Sequence, residues 1–403
     1  MSNYIASLIN QVTQAFLPIS NFRTLYLLGS AARDELSALH HPDGSIEFFS
    51  DLEFLLVADA PLTADRHYAL DQAMREAERA VANPNPLFHI DLITRERARL
   101  KRFPFIIFTY ELKQNARLLH GEDLRAEIPD VTMANLDLRN TREILYKRLW
   151  AILLHLPCRF VEGAPSLAEQ RVAGYVLARN ALDLTTVLLP HAGVLLPTYR
   201  QRVEHLRQHY ADFPFAAYFD ANFPDFLQTC LERRLDLDFT TTDLHSFYDR
   251  TLDALECGFH ALLPPAVMLD DLPLHSRALY NEWPISRGEW YNLARMSLRQ
   301  GPVRAARWLT LPKKGWLTLG LLAMHRALRA HFVGQPDVAD THLARALNIL
   351  TRLHCTLPIL TGDFPQRWLA ARIAWGEFWR QYIRLGAPAY RARFQYVMEW
   401  TYD

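Results

Sequence analysis

The run Ser50-Asp51-Leu52-Glu53-Phe54-Leu55-Leu56-Val57 sets two carboxylates, two residues apart, in an apolar strand. Side chains of a strand alternate between faces, so Asp51 and Glu53 share one face while Leu52 and Phe54 enter the packing layer. Neighbouring like charges repel, and burial strips them of solvation. A cation between them removes that cost, and an oxygen-only ligand set suits Mg²⁺, which binds through one or two carboxylates plus substrate phosphates. The alternative is an exposed edge strand with solvated acids; the flanking Phe48, Phe49, Phe54, Leu55, Leu56 and Val57 argue against it.

Upstream, the apolar run Leu25-Tyr-Leu-Leu-Gly-Ser30 predicts a strand over 23–28 that ends in a Gly-Ser turn. Gly29 lets the backbone come close to a bulky anion and adopt positive φ. Ser30 to Glu35 reads as the first turns of a helix, whose free N–H groups and dipole favour a phosphate, and the Ser30 hydroxyl is a further donor. Arg33 has two readings: a phosphate contact, or an ion-pair partner of Glu35 or another acid. Downstream, a helix over about 64–82 ends at Asn83-Pro-Asn-Pro86, and a strand over 87–93, Leu-Phe-His-Ile-Asp91-Leu-Ile, carries a third carboxylate in an apolar run. Thr94 is expected to cap a short polar helix after it.

This ordered set resembles the nucleotidyltransferase family of the DNA polymerase beta superfamily: an apolar strand, Gly-Ser, a short helix, an Asp-x-Glu strand, then a later strand with a third acid. The likeness covers about the first quarter of the chain. It implies that Asp51, Glu53 and Asp91 are catalytic and bind two Mg²⁺, and that Gly29, Ser30 and Arg33 bind the nucleoside triphosphate, with ATP favoured. Two departures stand out. Twenty residues separate Ser30 from Asp51, the excess over 38–45 having turn chemistry suited to a hairpin tip or loop. The position after Arg33, commonly Gly in that family, is Asp34.

Residues 105–120 read as a helix ending at Gly121. From about 135 the strand signal vanishes, giving helices over 137–155, 165–190, 197–209, 221–234 and 241–262, a Pro-rich linker over 262–273, then helices near 287–300, 302–309, 315–333, 337–354 and 365–385. The expected fold is α+β: a small mixed-sheet catalytic domain over 1–125, a helical domain over 135–262 lining the cleft, and a C-terminal helical domain over 275–403. The helical region resembles the second domain of antibiotic nucleotidyltransferases; by that likeness Glu111 and Glu143 are candidate general bases, while their own context reads each first as a surface helix acid.

The 403 residues carry 44 basic and 44 acidic side chains, so no global positive field exists to hold a polynucleotide. General nucleic-acid binding is therefore not expected. Cys158, Cys230, Cys257 and Cys355 lie far apart with no C-x-x-C, which signals neither a zinc site nor a disulfide framework. No leader pattern opens the sequence and its apolar runs are short for a bilayer, so a cytoplasmic protein without a membrane partner is the expectation. Arg148 to His155 fits the loose Arg-x4–6-His pattern of ribonuclease-like toxin domains, but Arg326 to His331 and Arg202 to His209 fit comparably, as chance provides in a chain rich in Arg and His.

The leading expectation is a Mg²⁺-dependent transfer of a nucleoside monophosphate to a hydroxyl acceptor with release of pyrophosphate. A small hydroxylated molecule is the favoured acceptor and a protein hydroxyl the second. The contrasting readings are a non-catalytic or regulatory nucleotide- and partner-binding protein, and the nucleotidyltransferase component of a toxin–antitoxin or defence system.

Overall fold

The computed structural model describes residues 3–378, apart from 19–21, 82, 86, 265–266, 354–356 and most of 281–312. The helices expected near 287–300 and 302–309, and the end of that over 365–385, lie largely outside the described residues. The chain is α+β, a small mixed sheet followed by a helical region. It divides into two compact units: unit 1 is Met1–Leu138, Leu189–Asp212 and Pro224–Asp238, and unit 2 the remainder.

Unit 1 is built on a four-stranded sheet of β1 (Phe22–Leu28), β4 (Leu52–Ala58), β5 (Ile90–Glu96) and β6 (Arg117–Gly121), in the order β5-β4-β1-β6. β4 and β5 are parallel, which requires a crossover, and α3 (Ala64–Val81) supplies it; the other pairings are antiparallel. Alternation sorts the strands onto two cores. Leu25, Leu27, Leu52, Phe54, Leu56 and Ile90 pack with Ile5, Leu8, Val12 and Phe16 of α1 (Asn3–Phe16) and Leu70 of α3. Tyr26, Leu28, Leu55 and Val57 pack on the opposite face with Leu100, Phe103, Leu112 and Ile128.

Two local expectations are corrected, and a third, the hairpin tip over 38–45, is met. The helix expected over 105–120 is α4 (Ile107–Asn115) followed by β6, because Arg117 to Gly121 pairs with β1. Thr94 caps no helix: parallel pairing with β4 carries β5 through to Glu96, and a 3₁₀ turn over Arg97–Arg102 follows. The segment over 38–45 contributes to a hairpin, β2 (Ala38–His40) and β3 (Ile46–Phe48), closed by His41 N donating to Ser45 O at 2.9 Å.

The helix opened by Ser30 is also shorter than its sequence suggests. It is α2, Gly29–Ala32, and the chain turns out of it at Asp34 with φ of +58°. An L-residue with a Cβ is disfavoured there by about 1 kcal/mol. Glycine relieves that strain but adds unfolded-state entropy. The Asp34–Arg117 ion pair is solvent-exposed and contributes little. Asp34→Gly is therefore expected to leave stability unchanged or raise it by up to about 1 kcal/mol, and Asp34→Val to lower it by about 1–2 kcal/mol, as read from urea unfolding midpoints.

Unit 2 is helical among its described residues. Its helices include α5 (Leu138–His155), α6 (Cys158–Val161), α7 (Leu167–His191) and those over Leu244–Leu262, Leu272–Tyr280, Lys313–Phe332, Pro336–Arg352 and Phe364–Phe378. Its core carries buried Trp150 and Trp375, ring centroids 5.5 Å apart and near edge-on. By length and composition alone α7 is apolar enough to cross a membrane. However, 94% of its most apolar stretch is buried within the protein, as a core helix requires.

His325 is fully buried in this unit. Its Nε2 lies 2.9 Å from Leu149 O and its Nδ1 2.9 Å from the Tyr248 hydroxyl. Burial, only partly countered by the Leu149 carbonyl and Glu256, lowers its pKa from 6.5 to about 4. The unfolded chain then binds the extra proton first, so the stability owed to neutral His325 is present above pH 6.5 and lost as pH falls toward 4. The loss should reach about 3 kcal/mol. His325→Gln is expected to flatten that part of the unfolding midpoint's pH profile.

Candidate active site

The parallel register sets Glu53 beside Asp91 and Leu52 beside Ile90. One residue further back, Asp51 and His89 stand just ahead of their strands, and an oxygen of Asp51, a nitrogen of His89 and an oxygen of Asp91 lie within 4.8 Å of one another. By strand alternation Asp51 and Glu53 share a face, and so do His89 and Asp91. That face is the one carrying Leu55, Val57 and Ile93, opposite α1 and α3. The Asp51 side chain is 15% exposed and that of Asp91 51%.

β1 runs antiparallel to β4 and ends against this point, with Leu28 opposite Glu53. The next residue, Gly29, has φ of +64°, and a Cβ placed on it would sit 2.1 Å from Glu53 Oε2. Glycine is thus required twice: for the left-handed backbone and for the space the Glu53 carboxylate fills. Gly29→Ala is expected to keep the fold at a cost of about 1–2 kcal/mol, while pushing Glu53 aside. A crystal structure of the variant in which Glu53 keeps its position would contradict this. Beside it, the Ser30 hydroxyl is buried and makes no hydrogen bond among the described residues. Buried hydroxyls seldom go unpartnered, and a ligand oxygen would satisfy this one.

Arg33 lies in a buried ionic cluster behind this turn. Its Nη1 donates to Glu111 Oε2 at 2.9 Å, and its Nε is 3.3 Å from Glu35 Oε2. Glu111 also accepts from Arg202. Glu35 is wholly buried and reaches the first turn of α8 (Tyr199–His209), accepting from Arg200 N at 2.9 Å and Tyr199 N at 3.3 Å. Its backbone carbonyl accepts from Arg234 Nη1 at 2.8 Å. The guanidinium groups of Arg33, Arg202 and Arg234 lie 5.2–5.6 Å from the centre of the Tyr199 ring. Burial opposes the Arg33 charge, but Glu111, Tyr199, Glu35 and Glu53 outweigh it and raise its pKa. Glu111 is therefore engaged by two arginines, and Glu143, in unit 2, by Lys314.

The pairing of Arg33 with Glu35 is the second of the two readings offered for Arg33, whereas three other features have no place in the sequence reading: His89, Arg202 and the α8 cap. His89 was legible: it precedes Asp91 by two, the spacing that singled out Asp51 and Glu53. Arg202 and the cap formed by Glu35 were not, since their partners lie 91 to 165 residues away in sequence.

No protein-family model and no curated protein matches the chain. Among solved structures, it is similar to "spectinomycin adenyltransferase AAD(9) from Enterococcus faecialis with ATP and spectinomycin". The identity is 14%, the match covers 62% of this chain and 99% of that one, and the TM-score is 0.37. At that TM-score the likeness has no bearing on activity.

Proposed function

We propose that this chain is a nucleotidyltransferase that moves a nucleoside monophosphate from a nucleoside triphosphate, ATP favoured, to a hydroxyl acceptor and releases pyrophosphate. The observation that supports it best is the shared sheet face of Asp51, Glu53 and Asp91 beside a turn whose buried Ser30 hydroxyl has no partner among the described residues. The donor set fits divalent cations: Asp51, Glu53 and Asp91 would hold two of the Mg²⁺ type. When bound, such cations neutralise a triphosphate and make a nearby hydroxyl more acidic.

The remaining roles fall to the chain itself. Ser30 Oγ donates to a phosphate oxygen, and Gly29 lets that oxygen approach the backbone while leaving Glu53 its place. Arg33 is held by Glu35 and Glu111, so we give it a positioning part: it fixes the turn and sets positive charge behind Glu53. The balanced charge of the chain favours a small hydroxylated acceptor, such as a sugar or aminoglycoside, over a polynucleotide. A protein hydroxyl is the second choice.

The test incubates the full chain with each nucleoside triphosphate, with or without Mg²⁺, against a panel of hydroxylated small molecules and proteins, and measures pyrophosphate. Metal-dependent release with the nucleotide recovered on an acceptor supports the proposal. Metal-dependent nucleotide binding without release on any acceptor favours a non-catalytic binding protein.

A further inference from the structure

His89 is not used by the proposal above. Its ring is 11% exposed, with Nδ1 3.0 Å from Leu87 O and Nε2 3.0 Å from Asp91 Oδ2 and 3.5 Å from Asp51 Oδ2. A carbonyl oxygen only accepts, so Nδ1 is the nitrogen that carries hydrogen toward Leu87. Carboxylate oxygens accept as well, so without a cation the 3.0 Å contact is an Nε2–H donating to Asp91; a cation bound there takes the place of that hydrogen and meets the Nε2 lone pair where the two carboxylates converge. A ring nitrogen anchored through its other N–H to a backbone carbonyl is the arrangement that orients histidine ligands of metals. The separations agree: donors at neighbouring positions around one cation, with bonds of ~2.1 Å, stand ~3.0–3.4 Å apart.

We propose that His89 is a ligand of the cation held by Asp51 and Asp91, and that its nitrogen turns this position toward first-row transition cations, Mn²⁺ among them, over Mg²⁺. The inference rests on the metal-binding part of the reading above. A set of two carboxylates and one imidazole differs in kind from the oxygen-only set that Asp51 and Glu53 suggest by themselves. Mg²⁺ favours oxygen and retains its waters, whereas transition cations gain from nitrogen. Leu87, the carbonyl that anchors the ring, is a positioning residue here through its backbone alone.

The experiment uses Mn²⁺ alone as the probe of the full chain. Bound Mn²⁺ is counted by the loss of its free electron-paramagnetic signal, Mg²⁺ serves as competitor, and electron spin-echo modulation reports a nitrogen bonded to the manganese. The wild-type protein is expected to show imidazole modulation that His89→Gln lacks. The preference for Mn²⁺ over Mg²⁺ should fall by about tenfold in that variant. Wild-type Mn²⁺ bound without nitrogen modulation would overturn the role of His89, leaving it a hydrogen-bond donor to the two carboxylates, while the metal site itself would stand. Absence of Mn²⁺ binding to the wild type would overturn both this inference and the metal site beneath it. The wild-type spectrum decides the matter even if His89→Gln fails to fold.

Discussion

A chain carrying Asp51→Asn and Glu53→Gln together is expected to lose nucleotide transfer by about a thousandfold or more while keeping its fold. Both replacements preserve shape and some hydrogen bonding but remove the negative charge that holds cations. Neighbouring carboxylates on one face repel in the absence of metal, so their neutralisation should change stability by no more than about 1 kcal/mol, with a small gain as the expected sign. Pyrophosphate release and a urea unfolding curve on the same preparation check both halves. A double variant that releases pyrophosphate at the wild-type rate would remove this face of the sheet from the chemistry.

The second large effect is structural. Glu35→Ala removes a wholly buried carboxylate that caps α8 and faces Arg33. Its loss leaves a buried guanidinium short of one partner and two backbone N–H groups without theirs. Deleting one member of a buried ionic group costs about 3–5 kcal/mol, to which the lost cap contributes about 1 kcal/mol. Glu35→Gln retains an acceptor oxygen and should cost distinctly less. Because the chain holds two units, the effect belongs to the transition of unit 1 and is read there. An unfolding midpoint unmoved by Glu35→Ala would mean that the buried ionic cluster contributes no net stability. Nucleotide transfer should also fall in this variant, since Arg33 fixes the turn that carries Ser30.

These two sites differ in how far they could be read from the residues. Asp51, Glu53 and Asp91 stand out because strand alternation is local: an acid flanked by Leu52 and Phe54 announces its face. Their adjacency is less local, since it depends on the parallel pairing of β4 with β5 across α3. β6 was misread as helix for a related reason. Arg117-Leu-Leu-His-Gly121 lacks alternation, and only pairing with β1 makes it a strand. The early end of α2 falls at Asp34, whose positive φ is a conformation that glycine adopts far more readily. Glu35 had no such signal. A buried acid that caps a helix 164 residues later looks in sequence like any helix acid beside an arginine.

The proposed transfer requires above all that this sheet face and the Gly29–Ser30 turn together hold a metal-bound nucleoside triphosphate. Calorimetric titration of ATP into the full-length chain tests it directly, with Mg²⁺, with EDTA, and with the Asp51→Asn, Glu53→Gln double variant. Saturable binding is expected with Mg²⁺, weakened by at least about tenfold in EDTA and in the double variant. ATP binding of equal strength in all three titrations, or no binding in any, would contradict it.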